Sequence, residues 1–460
     1  DIQEVADAEL KRQLESQGAK NGCVIVMDVK TGFVKAISNL TKGSDGNYYE
    51  LYNHAIGTKE VPGSTFKLAS LMAALEDGKI NITDTVNAVG EYTFYGKTMH
   101  DALEWGYGRI TIKRAFEKSS NVIAKVIYDA YRNDPQAYID RLVSFGLDQK
   151  LGIDLEGEAD PVMYRPGSPN WSKISLPWMS VGYEFQQTPL QTLAFYNAVA
   201  NNGTLVKPQF VQEIRRSGQT IKTFAPIVLK DNICSDNTLT ILKSCLEGVM
   251  KDGGTGSKLT SAQFKIAGKT GTARILNEDQ KYGQKGEWKY QASFVGYFPA
   301  EDPIYSCIVV VAAPSKDIYG ATVSGTVFTA IANKVYATTL KYHDAVNEGK
   351  RKKDNVPSVF AGNSYDLTKA LGRLRVPYAV AEEGEWLYAE SKKERIVFKK
   401  RNPVKEHVPN LTGMSAKDAV FLIESMGMSA YVIGYGKVTK QSIPPGASLF
   451  KGGIIELTLE

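Results

Sequence analysis

Residues 62–75 have the sequence PGSTFKLASLMAAL. The apolar run predicts a buried helix that is entered from a Pro-Gly loop and ends before Gly78. Ser64 and Lys67 are three residues apart, so helical spacing places them on the same face. Because burial disfavours an ammonium ion, Lys67 is a candidate base for a nucleophilic Ser64. The backbone N–H of Ser64 at the helix start would point at a developing oxyanion.

The Ser-x-x-Lys pattern is short, and the chain contains it twice. The second copy, Ser448 to Lys451, lies between a Pro-Pro-Gly and a Gly-Gly sequence, so no helix can follow it. We expect a solvated turn there. The functional interpretation of Ser64 therefore depends on partner motifs elsewhere in the chain.

Composition excludes several classes of protein. The 460 residues allow two or three domains, and 43% hydrophobic with 23% charged residues is ordinary for a globular protein. A net charge of +5, spread along the chain, gives no case for a nucleic-acid partner. The sequence has no run of eighteen apolar residues, so no segment of it is predicted to span a bilayer. We expect a membrane anchor to precede Asp1 instead.

The cysteines and histidines are scattered. No Cys-x-x-Cys pair occurs among Cys23, Cys234, Cys245 and Cys307. No metal-ligand spacing occurs among His54, His100, His343 and His407. We therefore predict neither a catalytic metal nor a cofactor.

The order of predicted elements indicates the fold class. An early hairpin over residues 22–38 is followed by helices, then by a three-strand meander over 264–313, then by a helix over 322–340. Residues 79–108 and 150–187 are predicted to be irregular. This order predicts an α+β domain whose antiparallel sheet joins the hairpin to the meander.

Two Ser- and Asn-containing triplets precede helical patterns. Ser119-Ser120-Asn121 lies between a helix capped by Thr111 and a helix over 122–131, and taken alone it is more typical of a cap than of catalysis. Ser235-Asp236-Asn237 also stands just before a helical pattern, so we predict that it is a cap.

Residues 268–272, GKTGT, contain a Lys-Thr-Gly motif on the first strand of the meander. A nucleotide-binding Walker loop would need a glycine five residues before Gly268, where Gln263 stands. The same letters at residues 30–32 fall in a hairpin turn, where a structural role is expected.

The strand pattern instead favours a carboxylate receptor. Thr270 and Thr272 share one side of a strand by its period of two. Gly271 would let a substrate approach the backbone, and Lys269 supplies positive charge.

Together, Ser64-x-x-Lys67, Ser119-x-Asn121 and the 269–272 motif resemble the penicillin-recognising serine transferases in their order and local contexts. Residues 16–342 resemble the transpeptidase domain of monofunctional, class B penicillin-binding proteins, and more the septal, cell-division enzymes than the elongation enzymes. The resemblance implies the penicillin-binding transpeptidase fold, with an antiparallel sheet flanked by helices and a helical subdomain.

The tail resembles small α/β PASTA modules. Residues 408–414, VPNLTGM, open one copy, and residues 356–359, VPSV, open a degenerate copy at an offset of 52 residues (408 − 356). The end of the degenerate copy, residues 382–401, departs from the pattern. We expect a transpeptidase domain at 1–345, a linker and degenerate repeat at 346–406, and a PASTA domain at 407–460. A structural appendage without ligand is the favoured interpretation of this tail.

The resemblance implies a catalytic role for five residues. Ser64 would attack the carbonyl between two D-alanines of a peptidoglycan stem peptide, with Lys67 as base. Ser119 would relay the proton to the leaving D-alanine in the field of Lys269. Asn121 would hold the substrate amide and the Lys67 side chain.

Substrate binding is implied for the strand motif. Thr270 and Thr272 would bind the terminal carboxylate, with Gly271 between them. The N–H groups of Ser64 and Thr272 would form the oxyanion hole.

The implied activity is D,D-transpeptidation in septal wall synthesis, with β-lactams acylating the same serine. Implied partners are membrane-embedded division proteins including a glycosyltransferase, at the extracytoplasmic face of the bacterial cytoplasmic membrane. Alternatives are a D,D-carboxypeptidase, a β-lactam sensor, or a β-lactamase. A β-lactamase would need a water activated by an acid of the 150–175 loop, which contains Asp154, Glu156, Glu158 and Asp160.

Overall fold

The structure is a computed structural model that describes residues 2–261, 263–275, 288–339, 356–401 and 406–460. It divides into two compact units, Asp1–His343 and Asp344–Glu460. Within these described ranges, no helix combines the length and the apolar character needed to cross a bilayer.

A six-stranded antiparallel sheet organises the first unit. Its strands are β1 (Asn21–Asp28), β2 (Val34–Lys42), β3 (Tyr48–Tyr49), β4 (Ala267–Ile275), β5 (Lys289–Phe298) and β6 (Tyr305–Ala312). Their spatial order is β4-β5-β6-β1-β2-β3. The β1–β6 pairing, with Cys23 opposite Val310, joins the early hairpin to the late meander. The predicted α+β class and sheet are confirmed.

Strand β1 is buried on both faces, as expected for a continuous apolar run. Val24, Ile25 and Val26 are fully buried. Helices Ile2–Gln17, Pro189–Ala200 and Thr326–Thr338 pack against the sheet. The last helix follows a π-helical turn at Ala321–Gly325. These layers hold β4 and β5 rigidly at the edge where the site lies.

Helices that lie in the sequence between β3 and β4 form the helical subdomain. They are Lys67–Glu76, Ile112–Glu117, Val122–Tyr131, Pro135–Ser144, Ser175–Met179 and Asp236–Val249. The short helix His54–Gly57 instead contacts β1 and β2 of the sheet. The helix Lys67–Glu76 is buried along almost its whole length, as its apolar sequence predicts. It contacts the helices Val122–Tyr131, Pro135–Ser144 and Asp236–Val249.

The prediction that residues 79–108 are irregular is wrong. Thr85–Ala88 pairs with Gly108–Thr111, and Glu91–Phe94 pairs with Lys97–His100. Strands of four residues are too short to show a clear period, and buried side chains such as Tyr92 stabilise them instead.

Further short strands lie outside the main sheet. Residues 150–187 are mostly loop, but Val162–Met163 pairs there with Phe185–Gln186. Beyond this loop, the remaining paired strands of the first unit's described residues are Leu205–Val206 with Val228–Lys230, and Glu213–Arg216 with Gln219–Thr223.

The motif copies outside the site are structural. The Ser235 hydroxyl caps the helix Asp236–Val249 by accepting from the Thr238 N–H. Thr31 donates from its N–H and hydroxyl to Asp28 Oδ1 at 2.9 and 2.7 Å, which closes the 30–32 turn. Ser448 is exposed and is followed by no helix, as predicted, but it forms an isolated antiparallel bridge with His407 instead of lying in a turn. The predicted cap at Ser235 and the predicted turn at residues 30–32 are confirmed.

The second unit contains two small α/β copies with the same topology. In each copy a helix is followed by three strands, and the first strand is parallel and the second antiparallel to the third. The first copy has the helix Ser364–Leu374 and the strands Tyr378–Val380, Trp386–Ser391 and Ile396–Lys400, with a short strand Gly362–Asn363 beside Trp386–Ser391. The second has the helix Ala416–Ser425 and the strands Ser429–Gly434, Val438–Gln441 and Ile454–Leu459. The two helices start 52 residues apart (416 − 364), which equals the sequence offset.

Candidate active site

Ser64 lies on a tight turn that precedes the buried helix. The turn is a 3-10 helix, Gly63–Phe66, and the α-helix begins only at Lys67. Ser64 was predicted in the first turn of the α-helix, but it lies in the 3-10 turn immediately before that helix. Gly63 has a φ of 56°, a conformation that glycine adopts without strain.

Two distant segments hold this turn in place. The Gly63 N–H donates to the Gly182 carbonyl at 3.2 Å, and a Cβ added to Gly182 would lie 2.0 Å from the Gly63 carbonyl oxygen. The Tyr196 hydroxyl donates to the Thr65 carbonyl at 2.7 Å. The position of Ser64 is thus determined by backbone contact with a second glycine, a role that sequence reasoning missed.

Lys67 is fully buried beneath the cleft. Its ammonium nitrogen donates to the Ser119 carbonyl at 2.7 Å and to Asn121 Oδ1 at 2.8 Å. Burial lowers the pKa of Lys67 to about 7, and the negative charge of Asp101 opposes this shift. Lys67 is thus a lysine that can accept a proton near neutral pH.

Ser119 lies between two buried lysines. Lys269, on β4, donates from Nζ to the Ser119 hydroxyl at 2.8 Å and to the Thr270 carbonyl at 3.0 Å. Burial, and then the charge of Lys67, hold the pKa of Lys269 well below its usual value. The structure therefore brings all three predicted motifs into one hydrogen-bonded cluster.

Strand β4 presents Thr270 and Thr272 to the cleft. The Thr270 hydroxyl hydrogen-bonds the Thr255 hydroxyl at 2.9 Å, and the Gly320 N–H donates to the Thr272 hydroxyl at 3.2 Å. Both threonines are therefore fixed in orientation before any ligand arrives.

Gly271 lies in close contact with two neighbouring segments. A Cβ at this position would lie 2.3 Å from Ser293 Oγ and 3.0 Å from Thr65 Cγ2. The missing side chain thus allows β5 and the turn Gly63–Phe66, called the nucleophile turn below, to approach β4 closely. A substrate contact through the Gly271 backbone stays a prediction.

The cleft has a volume of about 830 Å³. Five of the predicted site residues line it, namely Ser64, Ser119, Asn121, Thr270 and Thr272. Sequence reasoning missed other residues of its wall, including Lys118, Tyr183, Lys258, Arg274 and Tyr290. Arg274 could have been predicted from the sequence, because residues 270, 272 and 274 lie on the same side of strand β4.

None of the four acids considered for a deacylating water, Asp154, Glu156, Glu158 and Asp160, lines the cleft. The Glu158 carboxylate accepts from the backbone N–H groups of residues 151–153, which fixes the loop. Asp154 forms an ion pair with Lys207, and Asp160 forms one with Lys150.

Among the described residues, no cluster of three or more His, Cys, Asp or Glu side chains could hold a metal ion.

Comparison with known proteins identifies the family. A model of the penicillin binding protein transpeptidase domain matches residues 22–333. The chain belongs to the penicillin-binding protein transpeptidase family. The PASTA domain model matches residues 406–460 of this penicillin-binding protein.

Relatives and solved structures agree with this assignment. Penicillin-binding protein PbpB of Mycolicibacterium smegmatis is 29% identical over 70% of this chain and 50% of its own length. Peptidoglycan D,D-transpeptidase FtsI of Escherichia coli is 28% identical over 76% of this chain and 57% of its own length. The crystal structure of penicillin binding protein 3 from Mycobacterium tuberculosis, complexed with ampicillin, is 26% identical with a TM-score of 0.65, covering 76% of this chain and 79% of that one. The chain therefore spans about half the length of the curated relatives it matches.

Proposed function

We propose that this chain is a serine D,D-transpeptidase that cross-links peptidoglycan stem peptides through an acyl-enzyme on Ser64. The observation that carries the proposal is the cluster behind Ser64. There a buried Lys67 with a pKa of about 7 contacts both Ser119 and Asn121, while Lys269 donates to the Ser119 hydroxyl. Such a cluster can remove a proton from a serine and deliver it to a leaving amine.

In the acylation step, neutral Lys67 takes the proton of the Ser64 hydroxyl as Oγ bonds to the carbonyl carbon between the two D-alanines. The tetrahedral oxyanion accepts from the backbone N–H groups of Ser64 and Thr272, each worth roughly 3 kcal/mol in such sites. The C–N bond to the terminal D-alanine then breaks. Its nitrogen receives a proton through the Ser119 hydroxyl, which Lys269 holds in place.

Substrate orientation falls to the side chains that line the cleft. The hydroxyls of Thr270 and Thr272 bind the terminal carboxylate of the stem peptide, and Lys269 contributes positive charge behind them. Asn121 holds the substrate amide, while its Oδ1 keeps Lys67 in register. An amine of a second stem peptide then takes the acyl group and frees Ser64.

Product analysis with a pentapeptide stem substrate tests the transfer step. A transpeptidase releases D-alanine and forms a cross-linked dimer when an acceptor amine is present. D-alanine release without any dimer would indicate a carboxypeptidase, and the absence of both products would favour a β-lactam sensor.

A role in septal wall synthesis is proposed from the similarity to the FtsI and PbpB proteins. The enzyme would work at the extracytoplasmic face of the membrane, with membrane-embedded division proteins such as a glycosyltransferase as partners. A fluorescent fusion of the protein should concentrate at division sites. A uniform distribution along the lateral wall would contradict this role.

We also propose a transpeptidase domain at 1–345, a degenerate PASTA-like repeat within 346–406 and a PASTA domain at 407–460. The shared strand topology of the two copies in the second unit supports this division. In that unit the Ala361 N–H donates to the Gly413 carbonyl at 2.7 Å, so the copies share contacts and suit a structural appendage. Deleting residues 346–460 should leave acylation by penicillin within about twofold of the intact chain, since all the predicted site residues belong to the first unit.

A further inference from the structure

The carboxylate of Asp101 belongs to none of the three motifs, yet it is almost completely buried, with 7% of its surface exposed. It follows the strand Lys97–His100, and its backbone N–H donates to the Gly90 carbonyl at 2.8 Å. A buried carboxylate needs donors or a cation to offset its lost hydration. The partners of Asp101 therefore indicate what the group does.

Both oxygens of Asp101 face the junction that carries Ser119 and Asn121. Asp101 Oδ1 accepts from the Asn121 backbone N–H. Asp101 Oδ2 accepts from the Ser120 hydroxyl at 2.7 Å and from the Tyr92 hydroxyl at 3.1 Å. The carboxylate thus binds two consecutive residues of the junction between the helices Ile112–Glu117 and Val122–Tyr131.

This junction needs such support because its backbone is strained. Ser119 has a φ of 56°, a left-handed conformation that is unfavourable for a non-glycine residue. The strained geometry directs the Ser119 carbonyl to Lys67 and the Ser119 hydroxyl to Lys269. The Asn121 side chain is held as well, because its Nδ2 donates to the His100 carbonyl at 2.7 Å.

Asp101 also balances charge. Lys67 and Lys269 are both fully buried, and they repel each other when both are protonated. Asp101 stabilises the ammonium form of Lys67, against the larger effect of burial. Tyr92 and Tyr107 also face Asp101, and their raised pKa values keep their hydroxyls neutral at physiological pH. His100 and Lys118 line the same cleft as Asp101.

We propose that Asp101 is a positioning residue of the acylation machinery, which fixes the Ser119–Asn121 junction and supplies the buried counter-charge for Lys67. The inference rests on the proposed function, because it assigns a role within the same reaction. It predicts two separable effects, one on the geometry of the junction and one on the pH at which Lys67 becomes active.

Asp101→Asn removes the negative charge of the side chain while keeping its size and shape. Asparagine keeps an oxygen for the Asn121 N–H but removes the negative charge, so the ammonium of Lys67 loses stabilisation. The acylation rate of the wild type should rise with pH through a midpoint near 7, and in Asp101→Asn the midpoint should move about one pH unit lower. The plateau rate should fall less than about tenfold.

Asp101→Glu makes the opposite change, since it keeps the charge and displaces the oxygens. Its midpoint should stay at the wild-type value while the plateau falls by about a hundredfold, because the Asn121 N–H and the Ser120 hydroxyl lose well-aligned acceptors. Asp129→Asn, at an exposed acid paired with Lys125, is the matched control and should change neither quantity.

The measurement is the second-order rate of labelling by a fluorescent penicillin between pH 5.5 and 9. A lowered plateau in both Asp101 variants with no movement of either midpoint would overturn the charge role. Unchanged plateaus would overturn the positioning role. If Asp101→Asn does not fold by circular dichroism, Asp101→Glu still tests positioning, and Asp101→Ser, which also removes the charge, tests the charge role by the same shift of the midpoint to lower pH. An unlabelled wild type would instead reject the proposed function, so the two failures are distinguishable.

Discussion

Replacing Lys67 by methionine tests whether the buried amine is held neutral near pH 7. Burial takes the pKa of Lys67 from 10.5 to about 7. Each unit of pKa difference between the folded and unfolded states is worth about 1.4 kcal/mol. At low pH, where Lys67 is protonated in both states, its burial therefore destabilises the folded state by about 5 kcal/mol. Because the folded pKa is the lower one, the unfolded chain binds more protons between these two values. The free energy of unfolding should therefore rise with pH between about 7 and 10.5, and the destabilisation by Lys67 should reach its full value below about pH 7.

The expected magnitude follows from the same values. Between pH 7.5 and 9 the Lys67 contribution should raise the free energy of unfolding by about 2 kcal/mol in the wild type. Lys67→Met cannot titrate, so this increment should be missing from the variant.

Urea unfolding of both proteins, followed by circular dichroism at several pH values, gives the difference in slope. Lys97→Met, at an exposed lysine, is the matched control and should keep the wild-type slope. Parallel pH dependences for Lys67→Met and the wild type would refute the view that Lys67 is neutral in the folded enzyme.

Three other predictions concern the nucleophile turn, a helix cap and turnover. Gly182→Ala should reduce penicillin labelling at least a hundredfold, because its Cβ would lie 2.0 Å from the Gly63 carbonyl oxygen, whereas Gly46→Ala, in open space, should label normally. Ser235→Ala should lower the free energy of unfolding by about 1 kcal/mol through loss of the cap on Thr238, with labelling unchanged; a labelling defect would contradict the structural role. Nitrocefin should give one burst per enzyme molecule, and continuous hydrolysis would favour a β-lactamase.

Local motifs account for the part of the site that the sequence could predict. Ser64, Lys67, Asn121 and Thr270 stand at spacings that a helix turn, a helix junction and a strand dictate. That these motifs form one site was implied by the resemblance to the penicillin-recognising serine transferases.

Long-range packing accounts for what the sequence could not predict. The contact of Gly63 with Gly182, and the burial of Asp101 against the Ser119 junction, join segments with no shared local pattern. The contact of Gly271 with Thr65 depends on how the sheet edge meets the nucleophile turn, so the strand pattern alone does not predict it. The tail showed the reverse case, since residues 382–401 depart from the repeat in sequence but supply strands with the same pairing.

The mass of the intact protein after incubation with benzylpenicillin, followed by peptide mapping, tests the central claim most directly. One penicillin adduct should appear, on the peptide that contains Ser64. Ser64→Ala should carry no adduct, and Ser448→Ala, which changes the second Ser-x-x-Lys copy, should label as the wild type does. An adduct on Ser64→Ala, or no adduct on the wild type, would contradict the assignment of Ser64 as the acyl-carrying nucleophile.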